Sequence, residues 1–264
     1  AARWGSDAIG GVIQIFTRRP DGIAASARYG SDDDRRAVLA AGRQQAPVQL
    51  DLTVTGRRVD GFSAQNPAGF AFDPDDDGFE NLSAATGGGV DVAGGSLTWR
   101  GRAAAGETEF DQGTSDYANW SWRFDYRRAG SGPWTWQVGL ATLRDRLETA
   151  TAFGESEVVT RRLQTDLLAE RGFGRAGVWL VGLDAWRESG VDRGAWDETR
   201  TNVGVFTGVE GRGGPLGYEL SLRVDDDEEF GTELTGNAGL QWRIDARWRA
   251  FASAGRGFRA PNFN

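Results

Sequence analysis

From Asn119 to Arg128 the chain reads N-W-S-W-R-F-D-Y-R-R. In an extended strand, side chains alternate between the two faces with period two. Trp120, Trp122, Phe124 and Tyr126 therefore share one face, and Ser121, Arg123, Asp125 and Arg127 share the other. An aromatic face backed by a charged face suits a wall with lipid on one side and water on the other.

The pattern recurs outward from this stretch in both directions. Val48, Leu50, Leu52 and Val54 oppose Gln49, Asp51, Thr53 and Thr55; Trp134, Trp136, Val138 and Leu140 oppose Thr135, Gln137, Gly139 and Ala141. Leu163, Thr165 and Leu167 oppose Arg162, Gln164 and Asp166; Leu220, Leu222 and Val224 oppose Glu219, Ser221 and Arg223. About thirteen strands are expected beyond residue 20, most of them near the 9–11 residues that a tilted strand needs to cross a bilayer. A soluble sandwich would also alternate, with its apolar face inward, so the connections decide. Short turns at 45–47, 93–95, 130–133, 172–175 and 244–246 alternate with polar, mostly longer connections expected at 59–80, 107–118, 148–157 and 190–198. That asymmetry is the mark of an antiparallel up-and-down transmembrane β-barrel with short periplasmic turns and longer outer loops. Trp134, Trp186 and Trp248, near expected strand ends, fit an interfacial aromatic girdle.

Composition agrees. The chain holds 39 glycines in 264 residues, roughly twice the usual ~7%, which favours strands, turns and bulges over helices. Mean hydropathy is -0.48, as expected where alternating strands average to neutral. The net charge of -8 gives nucleic acid little electrostatic reason to bind. With no Cys and no His, disulfides, Ser–His and Cys–His catalysis and His-ligated metals are excluded within these residues, and an enzyme is not expected. The absence of Met points to a piece of a longer chain.

Residues 5–20, G-S-D-A-I-G-G-V-I-Q-I-F-T-R-R-P, depart from the wall pattern and predict a strand packed closely on other protein. This run resembles the end of the plug domain in TonB-dependent outer-membrane transporters, just before their barrel. Residues 255–264, G-R-G-F-R-A-P-N-F-N, resemble a second hallmark of that family, the F-R-A-P run ending a mid-barrel strand. The resemblance implies that residues 1–20 end a plug domain and 21–264 form the N-terminal part of a roughly 22-stranded barrel. It further implies a bacterial outer-membrane location, contact with outer-membrane lipid, and a TonB partner engaged through a box that precedes these residues. The D-x-D-G-F run at Asp75 to Phe79 and the stretch from Leu222 to Phe251 are most similar to the cobalamin transporters of the family. The alternatives are a siderophore or haem receptor of the same fold, whose ligand would be a small molecule such as a ferric siderophore, and, in another class, a passive porin or an adhesin-like barrel.

Asp73-Pro74-Asp75-Asp76-Asp77-Gly78 sets carboxylates at alternate positions, as at the start of an EF-hand loop. Ala84 stands where that loop needs Glu, and the flanks read as strands, so an EF-hand is excluded. Hard oxygen ligands crowded in an outer loop still suit calcium. By the resemblance, the calcium-binding loops of cobalamin transporters carry over onto Asp75 and Asp77, with Asp73 beside them and Asp111 joining from the next loop. Ser63 stands where the family draws another ligand, and a solvated acidic loop is the plainer alternative. Gly172 to Gly177 matches G-x-G-x-x-G, but V-W-L-V follows rather than a helix, so it reads as a hairpin turn. Inward charges such as Arg123, Asp125, Arg162, Asp166, Glu170 and Arg223 are expected to pair across strands and with the plug surface, the alternative being that they line a substrate path. Gly87-Gly88-Gly89 is expected to relieve crowding at a bend or beside the plug.

Overall fold

A computed structural model describes residues 13, 15, 18–63, 65–69, 72–130 and 132–261. They form one sheet of thirteen strands in chain order. The strands are β1 (Gly22–Tyr29), β2 (Arg35–Gln45), β3 (Val48–Val59), β4 (Phe79–Val92), β5 (Gly95–Phe110), β6 (Gly113–Ala129) and β7 (Trp134–Thr151). They continue as β8 (Gly154–Gly172), β9 (Gly177–Asp192), β10 (Trp196–Gly213), β11 (Leu216–Asp227), β12 (Gly231–Arg243) and β13 (Arg249–Arg256). Every neighbouring pair is antiparallel, β1 and β13 are the two edges, and the sheet is not closed. The only helical element among the described residues is one turn of 3-10 helix at Gly174–Ala176, within the G-x-G-x-x-G stretch that joins β8 to β9. No helix among them is long and apolar enough to cross a membrane.

The sheet has its apolar side turned outward. Leu163, Leu220 and Trp120 are 55%, 51% and 37% exposed, whereas Arg223 and Asp225 are each 1% exposed. A soluble sandwich would invert these figures, because apolar burial is what holds it together. The buried apolar cluster is small, Leu168 and Phe206 with Leu180 against them. All three sit on the charged face, where Phe206 lies over Gly182; a Cβ there would stand 2.3 Å from its ring. An all-β transmembrane wall, lipid-facing on one side and aqueous on the other, accounts for both faces.

Strand lengths correct the expected loops. β5 to β10 run 16 to 19 residues, well beyond the ~10 needed to span. The connections expected at 107–118, 148–157 and 190–198 shrink to Asp111–Gln112, Ala152–Phe153 and three residues, 193–195. Above the bilayer both faces of a strand meet water, so the apolar alternation lapses while the hydrogen-bonded ladder continues. Polar strand there has the composition of a loop. Among the strands described, β3 and β4 alone are joined by a long connection at that end, between Val59 and Phe79. The turns at the other end fall where the glycines and prolines place them.

Of the plug strand expected within residues 5–20, residues 5–12, 14, 16 and 17 lie outside the described residues, and Ile13, Ile15 and Arg18 to Pro20 belong to no strand. Arg18 to Pro20 lead into β1 along the charged face. The Pro20 carbonyl accepts a hydrogen bond from Gln44 Nε2 at 3.0 Å and lies 2.3 Å from where a Cβ on Gly42 would stand. Only glycine admits that close approach.

The triple glycine is not a bend, since β4 pairs continuously with β3 and β5 through it. Gly87 and Gly88 each accommodate a neighbour, whereas Gly89 meets only ordinary contacts. Trp99 covers Gly88 on the lipid side, and Asp51 and Arg100 crowd Gly87 on the lumen side.

Candidate functional site

The lumen face of the wall is organised by a recurring device. On β6, Arg123 and Asp125 lie two residues apart; Asp125 is opposite Gly139 of β7, which is opposite Asp166 of β8. The Arg123 guanidinium lies over the glycine, donating to Asp125 at 2.6 Å and to Asp166 at 2.9 Å. The same arrangement recurs across β11, β10 and β9. Asp225 is opposite Gly204, which is opposite Asp184, and Arg223 donates to Asp225 at 2.6 Å and to Asp184 at 2.9 Å. A Cβ on Gly204 would stand 1.9 Å from Arg223 Nη2. A flat guanidinium bridging two carboxylates needs a bare backbone beneath it. Arg127 with Glu170 and Arg162 with Glu188 complete the cross-strand pairing expected of the inward charges.

A cavity of about 560 Å³ lies between Arg18–Pro20 and this wall, lined among others by Asp51, Arg100, Arg102, Arg123, Arg162 and Gln164. Arg19 spans its edge, donating to Gln49 at 3.1 Å with Asp51 3.9 Å away. One Asp51 oxygen is buried without a hydrogen-bond partner. Charged side chains ring the space, while most of its exposed lining is apolar.

Trp186 does not join the girdle. It occupies the parity of Asp184 and Glu188 on β9, so its ring faces the lumen between Arg162, 4.3 Å away, and Arg200, 5.4 Å away. Arg200 also lies 5.7 Å from the Phe230 ring and donates to the Pro261 carbonyl at 2.9 Å, tying residues 257–261 back to β10. This cation–π stack escaped the sequence reading, although counting parity from Asp184 would have found it. At the turn end of the band, Trp134 packs against Trp179 at 5.3 Å and Trp136 at 6.2 Å, with Arg171 5.9 Å away. Trp248 is exposed in the turn before β13.

The long connection gathers acidic side chains. Carboxylate oxygens of Asp75, Asp77 and Asp111 lie within 4.8 Å of one another. Asp111 comes from the tight β5–β6 turn, close to the connection only because β4 and β5 pair. Asp73 contributes backbone: its N–H donates to Asp111 Oδ1 at 3.4 Å and its carbonyl accepts from Ser63 Oγ at 2.8 Å. Ser63 thus ties the two ends of the connection together. Gly78 donates to Glu109 Oε2 at 3.0 Å, and Gly61, at φ 81, lets the Asp77 carbonyl approach. The Asp75 carboxyl is pushed above the usual range by desolvation, and then by the charges of Asp73, Asp77 and Asp111. Oxygens ligating one calcium at ~2.4 Å lie at most roughly 5 Å apart, so the spacing fits a single hard cation.

A family model described as "TonB dependent receptor-like, beta-barrel" matches residues 16–264. The chain belongs to the TonB-dependent receptor β-barrel family. It is accordingly an outer-membrane protein. It is similar to the vitamin B12 transporter BtuB of Photobacterium profundum, 26% identical over 295 residues, covering 100% of this chain and 45% of the relative. BtuB of Vibrio cholerae is 28% identical over 285 residues, covering 99% of this chain and again 45% of the relative. The chain spans about half the length of these curated relatives. Among solved structures, the siderophore receptor PirA from Pseudomonas aeruginosa aligns with TM-score 0.75 at 17% identity, covering 100% of this chain and 48% of that one. The copper transporter OprC aligns with TM-score 0.71 at 13% identity, covering 94% and 48%. At these identities the likeness is one of fold, that of the TonB-dependent barrel.

Proposed function

We propose that the chain is the first part of the barrel of a TonB-dependent transporter that takes up cobalamin across the outer membrane, and that it is not an enzyme. The observation that carries this reading is the inverted wall: acyl chains would meet the apolar face, and the other face is lined with paired charges, with Arg18 to Pro20 lying against it. A barrel that wide needs further strands to pair β1 and β13, because unpaired edges are untenable in lipid. It needs a plug to keep the lumen from leaking. TonB, engaging the plug, would supply the energy to displace it. Cobalamin is favoured because curated relatives that align over the whole chain include vitamin B12 transporters. Solved structures of this fold include siderophore receptors and a copper transporter, which makes a ferric chelate the second reading.

We assign Asp75, Asp77 and Asp111 as carboxylate ligands of one calcium, with the Asp73 backbone and Ser63 shaping the loop. Neutralising three crowded carboxylates would hold residues 60–78 in one arrangement over the lumen mouth. The test is ligand binding by the whole protein. Cobalamin is expected to bind tightly, with calcium strengthening it, and its uptake by cells should require TonB. Retention of ferric chelates but not cobalamin would replace the substrate, and uptake undiminished without TonB would overturn the transport reading.

A further inference from the structure

The residues that follow β13 leave the sheet and cross its lumen face. β13 ends at Arg256, opposite Gly236, although β12 continues outward to Gly231. Residues 257–261 do not extend that ladder but run over β12 and β11 to β10, where the Pro261 carbonyl accepts a hydrogen bond from Arg200 Nη1 at 2.9 Å. Three strand spacings amount to ~14 Å, and five extended residues reach at most ~18 Å. The crossing is close to taut.

It is held at more than one point. Phe258 packs edge-on against Phe230, with ring centroids 6.4 Å apart. The Asp227 carboxylate accepts from the Glu229 and Phe230 N–H groups at 3.0 and 3.2 Å, fixing the turn that carries that ring. Arg200 lies over both Phe230 and Trp186, with Glu188 3.9 Å and Asp227 3.8 Å away. One guanidinium thus joins β9, β10, the β11–β12 turn and the crossing segment.

Burial shows what the segment covers. Asn202, Arg223, Asp225, Asp227 and Thr235 lie on the lumen face between its two ends, and all are buried, as is Ala260 within it. The matching bridge on β6–β8 has the same chemistry but opens on the cavity beside Arg18–Pro20. There the Arg123 side chain is 38% exposed, against 1% for Arg223. Register builds both bridges, and the crossing segment seals one of them.

We propose that Arg200 is a positioning residue that seats residues 257–261 as a fixed strap inside the lumen, and that the strap shapes the outer mouth for ligand capture. The second clause rests on the transport reading above. Arg200 sits near the outer end of β10, the end of the wall that also carries the acidic connection. A released strap would have to be ordered again when ligand binds. Fixing the backbone of a single residue already costs about tenfold in an equilibrium.

The 264 residues contain no cysteine, so Ala260→Cys in the whole protein reports on the strap through its rate of maleimide labelling, located by peptide mass. Labelling should be slow, and should accelerate at least about tenfold when Arg200→Ala or Phe258→Ala is added. Arg200→Lys keeps a donor for the Pro261 carbonyl but loses the planar stack, so it should restore part of the protection. Arg123→Ala breaks the uncovered bridge and should leave the rate unchanged, which separates loss of the strap from general loosening. Cobalamin should bind the Arg200→Ala protein at least about tenfold more weakly. Fast labelling with Arg200 intact, or a rate that Arg200→Ala does not alter, would overturn the strap. Unchanged affinity alongside accelerated labelling would overturn its role in capture. If the unaltered protein binds neither cobalamin nor a ferric chelate, the transport reading falls, and labelling still decides whether Arg200 holds the strap.

Discussion

Replacing Gly204 by Ala tests whether the lumen device holds the wall together. The new Cβ would stand 1.9 Å from Arg223 Nη2, 2.5 Å from Cζ and 2.8 Å from Asp225 Oδ1. The guanidinium cannot swing aside cheaply, because Arg223 is 1% exposed and held by Asp184 and Asp225 together. Expelling it leaves two buried carboxylates without their cation, and breaking such a group costs about 3–5 kcal/mol. Ala recovers about 0.5–1 kcal/mol over Gly in a strand interior, so the net loss should be about 2–4 kcal/mol. Gly217 on β11 is the matched control, since a Cβ there would stand 3.7 Å from its nearest neighbour, an ordinary contact. Urea unfolding of the whole protein in lipid vesicles, followed by tryptophan fluorescence, gives both values. Gly217→Ala should be neutral or slightly stabilising. Equal midpoints for the two variants would refute the reasoning, because the guanidinium would then be shown to move without cost.

On β8, Leu167→Arg and Gln164→Arg should separate the two faces. The first puts a charge in acyl chains and should cost about 2–4 kcal/mol near the midplane; the second enters the polar lumen and should cost little, by the same unfolding assay. For the acidic connection, calcium should protect residues 60–78 of the whole protein from protease, and Asp77→Asn should abolish that protection. Without calcium the pH dependence has a definite sign. Asp75 has a raised pKa in the folded loop, so its contribution is fully favourable below the ordinary carboxylate pKa and is lost as pH rises through the raised value. Protease resistance of the calcium-free loop should therefore increase on acidification through that window, whereas calcium protection should weaken over the same range.

Much of the wall was legible in the sequence because strand alternation is a local property. N-W-S-W-R-F-D-Y-R-R carries both faces within ten residues, and the short Gly/Pro turns mark where each hairpin closes. Strand extent was less legible. Residues 107–118 and 148–157 lose the apolar face once they leave the bilayer, yet keep their backbone pairing, and polarity alone does not distinguish that from a loop. Asp75 and Asp77 stood out as carboxylates on alternate positions, whereas the tight turn that carries Asp111 did not.

The order of side chains along each strand, read together with the connections between strands, determined that this sheet shows hydrocarbon to the membrane and charge to its lumen. Register decided the rest. Asp166 meets Arg123, Asp184 meets Arg223, and Asp111 joins Asp75 and Asp77 only because particular residues pair across strands far apart in the chain. A period-two pattern is written in neighbours; a cluster is written in hydrogen-bonded ladders, and no single strand contains one.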